Sequence, residues 1–165
     1  METSPTLAGY LLFIRDVMGI STDQLPDNSP SIGWTYEIGK AWVNRALIGW
    51  GAPSSPYASM YAIAVYNFAG DRLINYAQDP ADAPVVEGSD PPMKFFAYTR
   101  KTLNIFGFVS GVVQSTGDAG TNVSMVVPKQ FENFTLADLQ NLKTPWGREY
   151  LAIAQQYGPS VWGRT

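Results

Sequence analysis

Residues 57–77 read YASMYAIAVYNFAGDRLINYA, the longest and most apolar helix-like pattern in the chain. Ala58, Ala62, Ala64 and Ala69 are small enough to allow close approach of a neighbour, while Met60, Ile63, Phe68, Leu73 and Tyr76 fill the gaps between them. The spacing predicts a core helix from Pro56 to about Ala77. Asp71-Arg72 falls late in it and reads as a solvated or paired position rather than a site.

The step Ser55-Pro56 marks where this helix should begin, and the same punctuation recurs at Ser4-Pro5 and Ser29-Pro30. Ser at a helix N-cap accepts a bond from an orphan amide, and Pro at the first helical position gives up only an amide without a partner. Thr144-Pro145 repeats that chemistry, and Asp90-Pro91 is an acidic variant of it.

A first helix is expected from Ser4-Pro5 to about Met18, with Leu7, Tyr10, Leu11, Ile14, Val17 and Met18 on one face and Gly19 as its stop. A second should run from Pro30 to about Ile48. Ile32, Tyr36, Val43 and Leu47 mark one face, and Trp34, Ile38, Ala41 and Trp42 occupy much of the rest. A helix apolar nearly all round is either central or covered by a partner. Trp34, Trp42 and Trp50 lie eight apart, a rotation of roughly 80° past two turns, so they should spread around the helix rather than form one stripe.

Residues 78–92, QDPADAPVVEGSDPP, hold four acids and four prolines and predict an acidic surface loop. Their spacing lacks the arrangement of a calcium loop. A fourth helix is expected from about Pro92 to Phe106, with Met93, Phe96, Ala97 and Leu103 inward and Arg100 and Lys101 favourably placed near its end. From Gly107 the texture turns β-branched: Phe108, Val109, Val112 and Val113, then Val123, Val126 and Val127, around the turn-forming STGDAGTN. This predicts a β-hairpin near 108–127 whose loop, with Asp118 and Asn122, can reach a partner. Two short helices close the chain, one capped by Thr135 and one from Thr144-Pro145 to about Tyr157, followed by a tail at about 158–165. The fold expected is one mainly α domain over residues 1–165, a bundle of about five to six helices with the hairpin inserted.

Charged residues are only 15% of the 165, against about 25% in an average protein. Either neighbouring protein covers part of the surface, or Asn, Gln, Ser and Thr make it polar. Net charge is −3, unevenly spread: residues 1–92 hold four basic and ten acidic residues, residues 93–165 seven and four. Such polarity suits head-to-tail packing of identical copies, or the two parts neutralise each other within one fold.

The chain has no Cys and no His, which removes disulfides, thiolate nucleophiles and the commonest general base and metal ligand. Gly117-Asp118-Ala119-Gly120 is not followed by the Gly-Lys-Ser/Thr of a phosphate loop. No catalytic, cofactor or metal site is expected, and the basic residues are too sparse for nucleic acid to be a main partner. No apolar run is long enough to span a membrane, and Met1-Glu2-Thr3 opens a poor signal peptide. The expectation is a protein made in the cytoplasm with no membrane association. Trp34, Trp42, Trp50, Asp118, Asn122, Trp146, Arg148, Trp162 and Arg164 are the candidate partner contacts.

The core helix 56–77, the hairpin 108–127 placed before the last helices, and the closing segment KTPWGREYLAIAQQYGPSVWGRT (143–165) together give a layout that resembles the head–tail connector (adaptor, or neck) proteins of tailed bacteriophages. The resemblance covers most of the chain in layout and rests on no single diagnostic motif. It implies a structural virion protein without enzymatic activity, forming a ring, twelve-fold as is usual in that class, between portal and tail. The hairpin loop and the Trp162 tail would contact portal and tail or neck proteins, and DNA would pass without specific binding. A tail-completion or stopper protein is the alternative among virion proteins. Outside them, the alternative is a helical domain binding an apolar ligand.

Overall fold

The computed structural model describes residues 4–49, 59–107, 112–115, 124–126 and 136–156. They form six α-helices and two short strands: α1 Leu7–Leu12, α2 Pro30–Trp42, α3 Met60–Tyr76, α4 Phe95–Thr102, β1 Val112–Ser115, β2 Ser124–Val126, α5 Leu136–Asn141 and α6 Pro145–Gln156. The fold is mainly helical.

The centre is α3, where 12 of 17 residues are buried. That leaves little of it solvated, which fits a sequence apolar on most of its circumference. Val65, Leu73 and Ile74 are among its fully buried side chains, each worth roughly 1.5–3 kcal/mol when taken from water. The helix opens on Ser59, whose side chain accepts from the Ala62 amide at 3.1 Å. The expected opening at Ser55-Pro56 lies outside the described residues.

Close approach of α2 to α3 depends on Gly39. A Cβ there would stand 2.9 Å from the Val65 carbonyl oxygen and 3.2 Å from the Ala69 Cβ, so a side chain would hold the helices apart. Pro30 opens α2 as expected, although the Ser29 side chain makes no capping bond. The helix stops at Trp42, short of the predicted Ile48. Val43 turns extended (φ −75°, ψ 131°), which lets Val43 and Leu47 point inward from a following 3-10 turn, Arg45–Gly49.

The cap of α1 is Thr6 rather than Ser4, its hydroxyl accepting from the Gly9 amide at 3.0 Å. Pro5 is buried instead, and its carbonyl accepts from the Tyr36 hydroxyl at 2.6 Å. Beyond Leu12 the chain widens into a π-helical turn, Phe13–Val17. The extra residue per turn rotates the inward face, so Phe13 is buried and Val17, predicted inward, is exposed. Gly19, at φ 68°, ends the segment as predicted. Tyr10 stacks between Tyr36 and Tyr66, 5.9 Å from each, and so joins the first three helices. Its hydroxyl meets Thr35.

The 78–92 segment is largely exposed, but Asp79 serves the fold. Its two carboxylate oxygens accept from the Phe96 and Ala97 amides at 2.8 and 3.0 Å, capping α4. Asp90-Pro91 therefore does not open that helix; its peptide bond is cis. The helix is shorter than predicted at both ends, Ala97 faces solvent rather than the core, and Phe106 is 84% exposed. Leu103 is its C-cap, and the turn after it places Asn104 at φ 49°.

The strands β1 and β2 pair antiparallel, Val112 opposite Val126 and Val113 opposite Met125, as the hairpin prediction requires. The hairpin loop, Thr135 and the tail from Tyr157 lie outside the described residues. Thr144-Pro145 opens α6 as read from sequence, with the Thr144 hydroxyl accepting from the Gly147 amide at 2.9 Å. Among the described residues α6 makes the most extensive contact with α3.

Candidate interaction surface

Two of the sequence-predicted tryptophans meet on one flank of the α2–α3 pair. Trp34 packs edge-on against Tyr76, ring centres 5.6 Å apart at 90°, and Trp42 lies nearly parallel to Phe68 at 6.1 Å and 19°. The antiparallel course of the helices puts both indoles along the same seam. Both therefore reach rings of α3, while the third tryptophan of the expected spread, Trp50, lies outside the described residues. Trp34, Trp42 and Tyr76 are 52%, 63% and 54% exposed. Trp34 and Tyr76 brace each other, Trp42 lies on the buried Phe68 ring, and each still offers more than half its surface.

Arg72 lies four residues from both Phe68 and Tyr76, on their face of α3. Its guanidinium stands 4.7 Å from the Phe68 ring centre and donates to the Asn141 side-chain oxygen at 3.0 Å. The edge of Tyr150 reaches Phe68 from α6 at 4.9 Å. Burial and the nearby Asp138 charge raise the Tyr150 hydroxyl above the ordinary tyrosine range, and Arg72 opposes them. The strip thus spans three helices: Trp34 and Trp42 from α2, Phe68, Arg72 and Tyr76 from α3, Tyr150 from α6.

The other candidates fall elsewhere. Trp146 is half-buried and packs on the core. Arg148 is exposed on α6. Trp50, Asp118, Asn122, Trp162 and Arg164 lie outside the described residues.

The basic part of the chain offers less to a partner than its formal charge suggested. Lys94 donates to the carbonyls of Pro80 and Ala81, both at 2.7 Å. Lys143 donates to those of Ile105 and Gly107. Arg100 donates to Ile74 at 2.7 Å and to Ala77, closing the C-terminus of α3. Burial holds Arg100 below the ordinary arginine range, with Asp79 acting against it. Among the described residues these three cations face the protein's own carbonyls, while Lys101 and Arg148 are exposed. Among the described residues no three acidic side chains cluster to hold a metal ion, and no helix is long and apolar enough to cross a membrane.

Of the two alternatives read for Asp71-Arg72, solvated or paired, Asp71 takes the second, and it is fully buried. Its Oδ1 accepts from the Thr144 hydroxyl at 2.5 Å, while Oδ2 has no hydrogen-bond partner and stands 3.9 Å from the Arg72 Nε. Burial pushes its carboxyl up to about 6, against the smaller opposing effects of Thr144, Arg72 and Asn75. An Asp followed by Arg on a helix gives no sign of its burial, because its partner Thr144 is 73 residues away in sequence.

Comparison of the chain with known protein families, with characterised proteins and with solved structures gives no match.

Proposed function

We propose that this chain is a structural assembly protein, a subunit of the ring that joins portal to tail in a tailed-phage virion. Its working surface is the aromatic strip. The single observation that carries assembly is the trio Trp34, Trp42 and Tyr76, each more than half exposed and each backed by a second aromatic ring or a helix. Large aromatic side chains held in place before binding lose little entropy on contact, and Trp, Tyr and Arg dominate the energetic centres of protein interfaces. A helix apolar nearly all round must be central or covered. With α3 at the centre, the exposed Trp34 and Trp42 of α2 support cover by a partner.

The connector assignment within that class is supported by the layout the sequence shares with such proteins, a core helix and a hairpin ahead of the last two helices. It makes the partners further copies of this chain, twelve to a ring, together with portal and tail or neck proteins. DNA would pass through the ring without sequence readout.

The test is the mass of the purified chain in solution, by sedimentation equilibrium and native mass spectrometry across concentration. The proposal expects a closed multimer that gains population as concentration rises. A monomer at every concentration, carrying a tightly bound small apolar molecule, would overturn it and favour a ligand-binding domain.

A further inference from the structure

A second feature of the molecule adjoins the aromatic strip, sharing Arg72 with it: the polar seam where α5 and α6 meet α3. Thr144 ties the two sides together, since its hydroxyl accepts from the Gly147 amide and donates to Asp71. Around it, Asn75 donates to the Asp71 carbonyl at 2.7 Å, Gln140 donates to the Asn75 side-chain oxygen at 3.1 Å, and Arg72 donates to Asn141. The fit leaves no slack. A Cβ on Gly147 would stand 2.1 Å from the Asn141 carbonyl oxygen and 2.8 Å from the Asp71 Oδ1.

In this setting a charged Asp71 is poorly served. One oxygen has a single hydroxyl donor and the other has none, with no exposure to water. The adjacent cation serves it only in part: the Arg72 Nε stands 3.9 Å from Oδ2, too far for a hydrogen bond, while its Nη2 donates to Asn141 and its guanidinium carbon lies 4.7 Å from the Phe68 ring centre. From α3 the charged or titratable group facing Asp71 is Arg72. The elements packed against it bring Asp138 of α5 and Tyr150 of α6, neither of which adds a positive charge; Arg148 and Glu149 of α6 are exposed. A neutral carboxylic acid loses much less than a carboxylate on burial.

We propose that Asp71 is a proton-operated latch between α3 and the α5–α6 pair: with the carboxyl neutral the pair is seated, and with it ionised the pair is loosened. Undocking admits water to the carboxylate, so ionisation and opening favour each other. The latch bears on function through Tyr150, which α6 contributes to the ring cluster at Phe68. It stands independently of what the aromatic strip contacts.

Amide hydrogen exchange of residues 145–156, corrected for the intrinsic pH dependence of exchange, measures the opening directly. The opening ratio of the unaltered chain should rise roughly 50-fold between pH 4 and pH 8, most of it below pH 7. In Asp71→Asn, which keeps the shape and cannot ionise, that rise should disappear. An opening ratio flat with pH in the unaltered chain, or an Asp71→Asn variant that follows the same curve, overturns the latch. If Asp71→Asn does not fold, the carboxyl carbon shift of Asp71 in the unaltered chain decides. A midpoint near 6 supports the latch, and one in the ordinary aspartate range near 4 overturns it.

Discussion

The central helix α3 has two neighbours that differ in whether the seam between them buries an ionisable group. Against α2 the contact is apolar: Gly39 sits on Val65 and Ala69, and the tyrosines above it have their hydroxyls satisfied by Thr35, Pro5 and Thr6. Against α6 it is mixed: α6 buries Leu151, Ile153 and Ala154 and sets Tyr150 on Phe68, but beside these apolar contacts a closely fitted polar patch surrounds the buried Asp71 carboxyl. The first seam has no buried acid and should hold equally well at any moderate pH. The second depends on a proton. One helix therefore serves as a fixed wall on one side and a conditional one on the other, and the exposed aromatic strip runs from the fixed side to the conditional side.

The largest effect expected from breaking this contrast is at Gly147. Gly147→Ala drives a methyl into the Asn141 backbone and should cost about 3 kcal/mol in urea denaturation. Its α6 amides should lose protection before those of α3. Next comes pH. The folded-state carboxyl of Asp71 is raised to about 6 from 3.8, so the native chain holds this proton more tightly than the unfolded chain. Its stabilising contribution is complete below about pH 4 and is lost as pH climbs through 6, roughly 2–3 kcal/mol by pH 7. The difference between the unaltered chain and Asp71→Asn across that range isolates it from other carboxylates.

On the apolar side, Gly39→Ala should cost about 2 kcal/mol, because the new methyl meets backbone rather than a movable side chain. That loss should not change with pH. A Gly39→Ala penalty as pH-dependent as that of Gly147→Ala would erase the distinction between the seams. A smaller effect is expected at Thr144→Val, about 1 kcal/mol from the lost helix cap. Because the Thr144 hydroxyl holds the Asp71 carboxyl down, the same change should move the Asp71 titration upward.

The same contrast explains what could be read from sequence. Spacing identified α3 as the core, and the local chemistry of Ser29-Pro30 and Thr144-Pro145 located two helix starts, because those signals act within one turn. Ser4-Pro5 misled by two residues, since burial of Pro5 under Tyr36 shifted the cap to Thr6. The cap of α4 comes from Asp79, 17 residues upstream of Phe96, beyond any local pattern. Trp34 and Trp42 were legible as candidates, but their convergence on Tyr76 and Phe68 needs the antiparallel pairing of α2 and α3. The burial of Asp71 was illegible for the same reason: its partner Thr144 belongs to the other end of the chain.

The central claim is that the strip of Trp34, Trp42 and Tyr76 is a contact surface between proteins. Both indoles are more than half exposed, so Trp34→Ser with Trp42→Ser should lower the stability of an isolated subunit only modestly, by about 1 kcal/mol for each lost ring contact. The direct measurement is the solution mass of this double variant beside that of the unaltered chain, at matched concentration and with helix content checked by circular dichroism. The account predicts a multimer for the unaltered chain and a folded monomer for the variant. Identical mass distributions for the two would contradict it.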